Sequence, residues 1–530
     1  MPNEPSIETS EPVAEYDVDI RDDYDALPYL SLPISYTQPN LLSALASLFG
    51  LPSPPPAHAR VLELGCASGG NLIPLAARYP EGSFLGIELS GVQVANGNSR
   101  IASLGLTNVK LVCDDIARIA LPEASFDYII CHGVYSWVPP AVQDAILRVA
   151  ATCLAANGIA AISYNVLPGW HLRSPIRDIL LAHAGSEGHP QERVARAREM
   201  LRLLEKSTGT DSYGTLLRAE ATRMARMPSS YILGEFLAAQ NTPATFDDFT
   251  ARAMHHDLGF LCEADLNAGA LGVLDLDTRK SVSDIAGSDR AKAEQYLDLL
   301  SGRPFRRSIM TRTVAGRAFS EPRPENLAGL HVVCQLRPDR AGSDATRAAF
   351  TDRRGQPIVT HWRSIAGAFN RLAEAYPSTV PVDTLAGTGA EATQISAALL
   401  QLLREGRALV SVLPVTIGPA TAARPIAWEY ARAEASRGLP FVTNLHHVAV
   451  EVPKVAAAVM SKLDGSNDRT KLIGWLTREI SAGHVQLPDA DREALQNGTE
   501  AVGTMAERHV NETIRYLAAS AVLMPGVSAS

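Results

Sequence analysis

Positive charge is scarce in this chain. Lys and Arg number 48 against 57 Asp and Glu, for a formal net charge of −9. A general electrostatic attraction to nucleic acid is therefore absent, and no nucleic-acid partner is expected. Long apolar runs are also missing. No stretch of about 18 apolar residues occurs, so no membrane-inserted segment is expected. No basic segment leads into an apolar one near residue 1, so a secretory signal is not expected either. Cysteines are few and scattered: Cys66, Cys113, Cys131, Cys153, Cys262 and Cys334, with no Cys-x-x-Cys pair. That spacing fits reduced thiols in a cytoplasmic protein. The first 25 residues hold nine acids and a single base, Arg21, and segment 1–23 reads as a solvated, disordered acidic tail.

What is present is an ordinary globular composition, 46% hydrophobic and 20% charged over 530 residues, enough for about three domains. Residues 56–165 alternate short apolar strands (Arg60–Leu64, Ser83–Glu88, Val109–Cys113, Phe126–Cys131, Ile159–Tyr164) with helical patterns (71–78, 92–104, 141–155). Such alternation predicts an α/β fold, a parallel sheet with helices on both faces. Residues 24–185 are taken as this domain. Residues 190–310 carry helical periodicity and few strand signals, which predicts a separate helical domain. A proline-bearing linker, 321–326, follows. Helix, turn, helix and strand signals then predict a winged-helix-like domain over 328–420, and 421–530 reads as mixed and mostly helical. The second helix of the winged-helix-like domain, 390–405, has only Arg404 as a base and carries Glu391 and Glu405. A scaffold or substrate-binding role is expected of it rather than DNA binding.

The chemistry begins where the first strand ends. Gly65-Cys66-Ala67-Ser68-Gly69-Gly70 follows Leu64, and glycines there let the backbone turn tightly and approach a ligand. A loop of this kind serves many nucleotide-type cofactors, and three acids narrow the choice. Glu88 ends the second strand, where a carboxylate accepts hydrogen bonds from ribose hydroxyls. Asp115 follows the third strand, within reach of an adenine amino group. Glu63 stands two residues before Gly65. Its charge would repel a pyrophosphate and attract the ammonium and sulfonium of S-adenosylmethionine. The acids therefore favour a methyltransferase over an NAD-dependent dehydrogenase.

The segments 61–70, 84–89, 114–116 and 126–130 resemble the ordered motifs of class I S-adenosylmethionine-dependent methyltransferases. That family implies a Rossmann-like seven-stranded sheet with the cofactor at the strand carboxyl ends. The resemblance assigns cofactor contacts to Glu63, Gly65, Cys66, Ala67, Gly69, Asn71, Glu88, Leu89, Asp114, Asp115, Ile116 and His132. Ala67 departs from the glycine of many relatives. Further stretches are more specific: Tyr24–Pro33, Cys131–Pro139 (with His132-Gly133-Val134-Tyr135-Ser136-Trp137), Tyr164–Trp170, Tyr231–Phe236 (Tyr-Ile-Leu-Gly-Glu-Phe), Phe246–Phe249, and, more loosely, Pro440–His447 with Leu463-Asp464-Gly465. Together they resemble methyltransferases with a methyltransferase regulatory domain, above all the rickettsial-type lysine methyltransferases of outer-membrane proteins. That likeness implies a homodimer, a helical middle region and an open substrate cavity.

Candidates for the acceptor side lie on the loops after the fourth and fifth strands. Tyr135, His132, Trp137, Asn165 and Trp170 are the expected catalytic group, with Tyr164 and Arg173 beside them and Tyr24 and Tyr29 as a lid. Tyr135 is expected to orient the substrate. His132 is either a structural histidine or a general base. Trp137 and Trp170 either line a pocket or pack beneath the loops. Arg173 either binds an acidic group of the substrate or pairs with Asp178. The adjacent pairs His255-His256 and His446-His447 point in divergent directions and have no suitably spaced acid or cysteine, so no metal is expected. The expected reaction is methylation of protein lysine side chains. The alternative acceptor is a small molecule or a peptide natural product.

Overall fold

The computed structural model of the chain describes residues 31–207, 209–266, 275–287, 289–313 and 321–526. The acidic segment 1–23, Tyr24 and Tyr29 lie outside the described residues. Two compact units divide the chain: Met1–Ser31 with Leu45–Glu321, and Leu32–Ala44 with Pro322–Ser530.

In the first unit, strands and helices alternate as β1 (Arg60–Leu64), α1 (Leu72–Arg78), β2 (Ser83–Glu88), α2 (Gly91–Ser103), β3 (Val109–Cys113), β4 (Phe126–Cys131), α3 (Pro140–Cys153) and β5 (Leu154–Asn165). All but the first residue of β1 is buried, as expected of a strand covered on both faces. Helix starts are set locally. The Ser90 side chain accepts the Gln93 amide at 3.1 Å ahead of α2, and Pro140 occupies the first turn of α3, where its missing N–H costs nothing. The seven strands run in the order β3-β2-β1-β4-β5-β7-β6, with β6 at Leu258–Glu263 and β7 at Phe305–Arg312. The first five are parallel, and β7 is antiparallel to both β5 and β6. The chain order reverses between β1 and β4, which opens a crevice at the strand carboxyl ends where α/β folds bind ligands.

Between β5 and β6 stand α4 (Ser174–Ala184), α5 (Pro190–Ser207), α6 (Ser212–Ala225) and α7 (Phe246–His255), and between β6 and β7 stand α8 (Leu276–Ala286) and α9 (Arg290–Ser301). α4, α5 and α6 share a core of Leu180, Ala197, Leu201, Ala221 and Met224 with Phe236. The stretch 190–310 was expected to be a separate helical domain, and here the structure differs. It supplies β6 and opens β7, which complete the sheet. The reason is a buried ionic cluster. Arg306, fully buried on β7, donates from Nε to Asp298 (2.7 Å), from Nη1 to Glu263 (2.8 Å) and from Nη2 to Glu294 (2.9 Å), and its Cζ lies 4.0 Å from the centre of the Phe246 ring. Glu263 also accepts the Arg307 amide at 2.9 Å and the Ser308 hydroxyl at 2.8 Å. The cluster joins β6, β7, α7 and α9.

The second unit holds β8 (His331–Cys334), β9 (Arg337–Asp339), β10 (Ala348–Thr351), β11 (Pro357–Thr360), α10 (Arg363–Ala375), β12 (Val380–Pro381), α11 (Val382–Ala386), α12 (Ala390–Arg404) and β13 (Ala408–Ser411). β8 lies between β12 and β13. Beyond β13, a short hairpin (Phe441–Thr443 with Ala449–Glu451) and five helices between Glu429 and Ala519 follow. No helix among the described residues is long and apolar enough to cross a membrane.

Removing one partner of a buried ionic cluster strands the others without compensation. Arg306→Ala is expected to destabilise the first unit by roughly 3–5 kcal/mol, read as a lower urea midpoint by tryptophan fluorescence. An unchanged midpoint would contradict the docking role of the cluster.

Candidate functional site

The loop between β1 and α1 turns back on the sheet. Gly65 and Cys66 both donate their amides to the Ile87 carbonyl, at 2.8 and 3.1 Å. Gly65 and Gly69 each have φ of +74°, the left-handed region that glycine enters without strain. A Cβ on Gly65 would stand 2.3 Å from Val134 Cγ2, so the loop after β4 closes directly on it. Ala67 also has a positive φ, +49°, in the place where many relatives have glycine. Its amide is held by Glu88 Oε2 at 2.9 Å.

The acids meet different fates. Glu63 is buried, and its Oε1 accepts from Asn71 Nδ2 at 2.9 Å. Its Oε2 is buried with no hydrogen-bond partner. Burial pushes the carboxyl up to about 8, against the Asn71 hydrogen bond and helped by the charge of Glu88. Glu88 takes the Ala67 amide on one oxygen and the Ser90 amide, at 3.0 Å, on the other. Asp114 accepts the Asp115 amide at 2.8 Å and donates its own amide to the Glu88 carbonyl at 3.1 Å. Asp115 accepts the Ala117 amide at 2.8 Å and sits 3.5 Å from Arg118. Leu89 is half-buried, and Ile116 packs on the edge of the sheet core. Cys66 is buried, and burial pushes its thiol well above the usual range, which makes it unreactive.

These residues fit S-adenosylmethionine. An orphaned buried carboxylate oxygen, on Glu63, suits an ammonium, the glycine positions let the backbone close on a ligand, and Glu88 ends β2 at the strand carboxyl edge, where a carboxylate meets ribose hydroxyls. One position was missed on the sequence. Ser31 Oγ accepts the Gly70 amide at 2.7 Å, and a Cβ on Gly70 would lie 2.0 Å from the Ser31 carbonyl oxygen. Its only signal was its place in the Tyr24–Pro33 stretch.

On the acceptor side, the loops after β4 and β5 are tied together. Ser136 Oγ accepts the Asn165 amide at 2.8 Å, and Trp137 meets Trp170 edge to face at 5.9 Å. A strap from the helical region crosses both loops. Asn241 Oδ1 accepts from Asn165 Nδ2 at 3.0 Å, Thr242 donates to the Ser136 carbonyl at 2.7 Å, and Ala244 donates to the Asn165 carbonyl at 3.1 Å. Asn241 and Ser163 carried no sequence signal, and Ser136 only its place in the Cys131–Pro139 stretch, because their roles depend on chain segments far apart.

Several expectations change. Tyr135, expected to orient a substrate, is fully buried between Tyr164 (6.1 Å) and Phe249 (5.3 Å), and Tyr164 stacks on Phe249 at 3.9 Å. Both tyrosines are packed in the sheet core, with no face open to a substrate. His132 Nδ1 lies 3.1 Å from Ser163 Oγ, which also accepts the Gly133 amide at 2.9 Å. Burial, with Arg307 adding to it, pushes the imidazole down to about 4. An imidazole of such low proton affinity is a poor proton acceptor, which favours the structural reading over the general base. Trp137 and Trp170 are buried as well, so they pack beneath the loops instead of facing solvent. Arg173 does not pair with Asp178. Its guanidinium lies 5.4 Å from the Trp170 ring centre. Of the histidine pairs, His256 contacts Asp144 at 2.7 Å, His446 donates to the Pro377 carbonyl at 2.7 Å, and burial pushes His447 down to about 3.

Three family models match the chain: a methyltransferase domain over residues 61–158, a predicted methyltransferase regulatory domain over 228–312, and a PKMT C-terminal winged helix domain over 423–522. The last match moves the winged helix from 328–420, where the sequence suggested it, to the stretch read as mostly helical. Its short strands leave too weak a period to read. An uncharacterized protein of Rickettsia prowazekii is 38% identical over 232 residues, covering 43% of this chain and 93% of that protein. A second from the same organism is 38% identical over 292 residues, covering 54% of this chain; the chain spans 52% of that relative's length. The solved structure of PKMT2 from Rickettsia typhi has a TM-score of 0.82 at 25% identity, covering 93% of this chain and 100% of that one. Its complex with AdoHcy gives 0.81 at 25% identity.

The unpaired Glu63 oxygen makes a linkage prediction. The buried carboxyl holds a proton below about pH 8, and an incoming ammonium favours its charged form. Binding of S-adenosylmethionine at pH 7 is therefore expected to release close to one proton. Calorimetry in buffers of different ionisation enthalpy measures it. Glu63→Gln should abolish the release and weaken binding by about tenfold or more, the size of a hydrogen bond to a charged group. Persistent release from the variant would remove Glu63 as its source.

Proposed function

We propose that this chain, which belongs to the S-adenosylmethionine-dependent methyltransferases carrying a methyltransferase regulatory domain and a PKMT-type winged helix, methylates lysine side chains of a protein substrate. It is an S-adenosylmethionine-dependent methyltransferase, and the lysine acceptor is the step taken here. The likeness to Rickettsia typhi PKMT2 along nearly the whole chain carries this reading. It extends through the helical and C-terminal parts, which methyl transfer to a small acceptor does not require.

When bound, the cofactor supplies an electrophilic methyl group on a sulfonium. The chain's own contribution is placement. Glu63 would hold the ammonium of the cofactor, Glu88 its ribose, and Asp115 its adenine amino group. The strap at 241–244 fixes the loops after β4 and β5, which gives the acceptor a rigid approach. A lysine must lose a proton first, at a cost of about 4–5 kcal/mol at pH 7 for an unperturbed amine. Apolar surroundings lower that cost by disfavouring the ammonium. Trp137, Trp170 and Phe236 make the interior beneath these loops apolar.

Incubating the protein with methyl-labelled S-adenosylmethionine and a cell-envelope protein extract should place label on protein bands, recovered after acid hydrolysis as N-methyl-lysine. Label confined to small metabolites would overturn the reading and favour the small-molecule acceptor.

A further inference from the structure

Lysine is rare in this chain. Seven occur in 530 residues, and three of them, Lys454, Lys462 and Lys471, fall within residues 454–471. Lys462 and Lys471 meet in a cavity of about 690 Å³ in the second unit, formed by the helix Arg469–Ser481 and the turn before it. Lys471, Trp475 and Arg478 are spaced i, i+4 and i+7, which puts them on one stripe of that helix. Leu472, Leu476 and Ile480 are its buried residues. Gly474 adds no side chain beside the stripe, and Arg478 lies back across it: a Cβ on Gly474 would stand 3.7 Å from Arg478 Nη1. From the turn, Lys462 places its Nζ 5.4 Å from the centre of the Trp475 ring. Lys462, Lys471 and Arg478 are exposed, and Trp475 is half-buried.

We propose that this cavity docks an acidic segment of the protein acceptor, with Lys462, Lys471 and Arg478 as its cations and Trp475 as its aromatic wall. The inference rests on the protein-acceptor reading above and adds a contact to a part of the acceptor other than its reacting lysine.

The nearby acids are engaged locally. Asp464, the one acid among the described wall residues, turns its Oδ1 to the Ser466 amide and hydroxyl, at 2.9 and 2.6 Å. Asp468 caps the helix by accepting the Lys471 amide at 2.9 Å. Glu479 contacts His484 at 3.1 Å. Among the described residues, no acid ion-pairs with Lys462, Lys471 or Arg478. Three cations facing solvent, in a chain of net charge −9, make a local field opposite in sign to that of the whole. Such a field attracts carboxylates and steers their approach. A polypeptide fits this cavity better than a nucleic acid. Three cations neutralise few phosphates, and the negative charge of the rest of the chain repels a long polyanion. An acidic peptide also carries apolar groups between its carboxylates, which the Trp475 ring and the lysine stems can cover.

The test is calorimetric titration of the full chain with a decaglutamate peptide at low ionic strength. Wild type should bind it, and binding should weaken as salt rises. Lys471→Gln combined with Arg478→Gln removes two exposed charges and should weaken binding about tenfold, within the range of two surface ion pairs. Lys110→Gln combined with Lys292→Gln removes the same charge elsewhere and should bind as wild type does. No binding by wild type, undiminished binding by the cavity variant, or an equal loss in the control variant overturns the proposal. So does tighter binding of a single-stranded DNA of equal charge, which would mark a nucleic-acid surface. In methyl transfer to cell-envelope protein, the cavity variant should raise KM about tenfold and leave kcat unchanged. A fall in kcat with KM unchanged overturns the docking role. A wild type that forms no N-methyl-lysine refutes the lysine acceptor. The titration involves no transfer, so it decides on the cavity separately.

Discussion

One buried guanidinium decides how this catalytic unit is put together. Arg306 sits at full burial on β7 with carboxylates from β6 and α9 around it. A lone charge there would be prohibitively desolvated, and the same is true of each acid. The groups are tolerable only together, so β6, β7 and α9 must assemble as a set. That set pairs β7 with β5 across six residues, Asn165↔Phe305 through Ala160↔Met310, and caps the sheet with strands from the helical region. The regulatory stretch is built into the catalytic sheet rather than appended to it. The same integration lets residues 241–244 strap the loops after β4 and β5.

The cofactor side uses a different electrostatic device. Glu88 holds the loop that surrounds it, through two backbone amides. Glu63 keeps one oxygen unspent in a fully buried place. Glu88 thus shapes the loop, while the unpaired oxygen of Glu63 is left for a cation. Asn71 supports this arrangement by fixing the orientation of Glu63 without neutralising it.

The strands β1 to β4 were legible because parallel strands covered on both faces read as continuous apolar runs. Their bounds in the structure match those read from the sequence. β7 was not legible for the opposite reason: Phe305-Arg306-Arg307-Ser308 looks like a surface segment until the acids that bury Arg306 are known. β6 contains Gly259 and lies in helical company, which hid it further. Glu63 was readable as a charge in the wrong place for a diphosphate. The burial of Tyr135 and Trp137 was not legible, because an aromatic residue on a loop carries the same sequence signal whether it faces a ligand or the core.

The path of the chain through the sheet also has a consequence for synthesis. β5 emerges from the ribosome long before β7, its neighbour, with α4 to α9 made in between. Until residue 312 is out, β5 presents an unpaired row of amides and carbonyls along an apolar strand, the kind of edge that recruits foreign strands. The nascent protein must therefore keep that edge covered by its own helices or by a chaperone, and a ribosome stalled between β5 and β7 would release an aggregation-prone fragment rather than a smaller working enzyme.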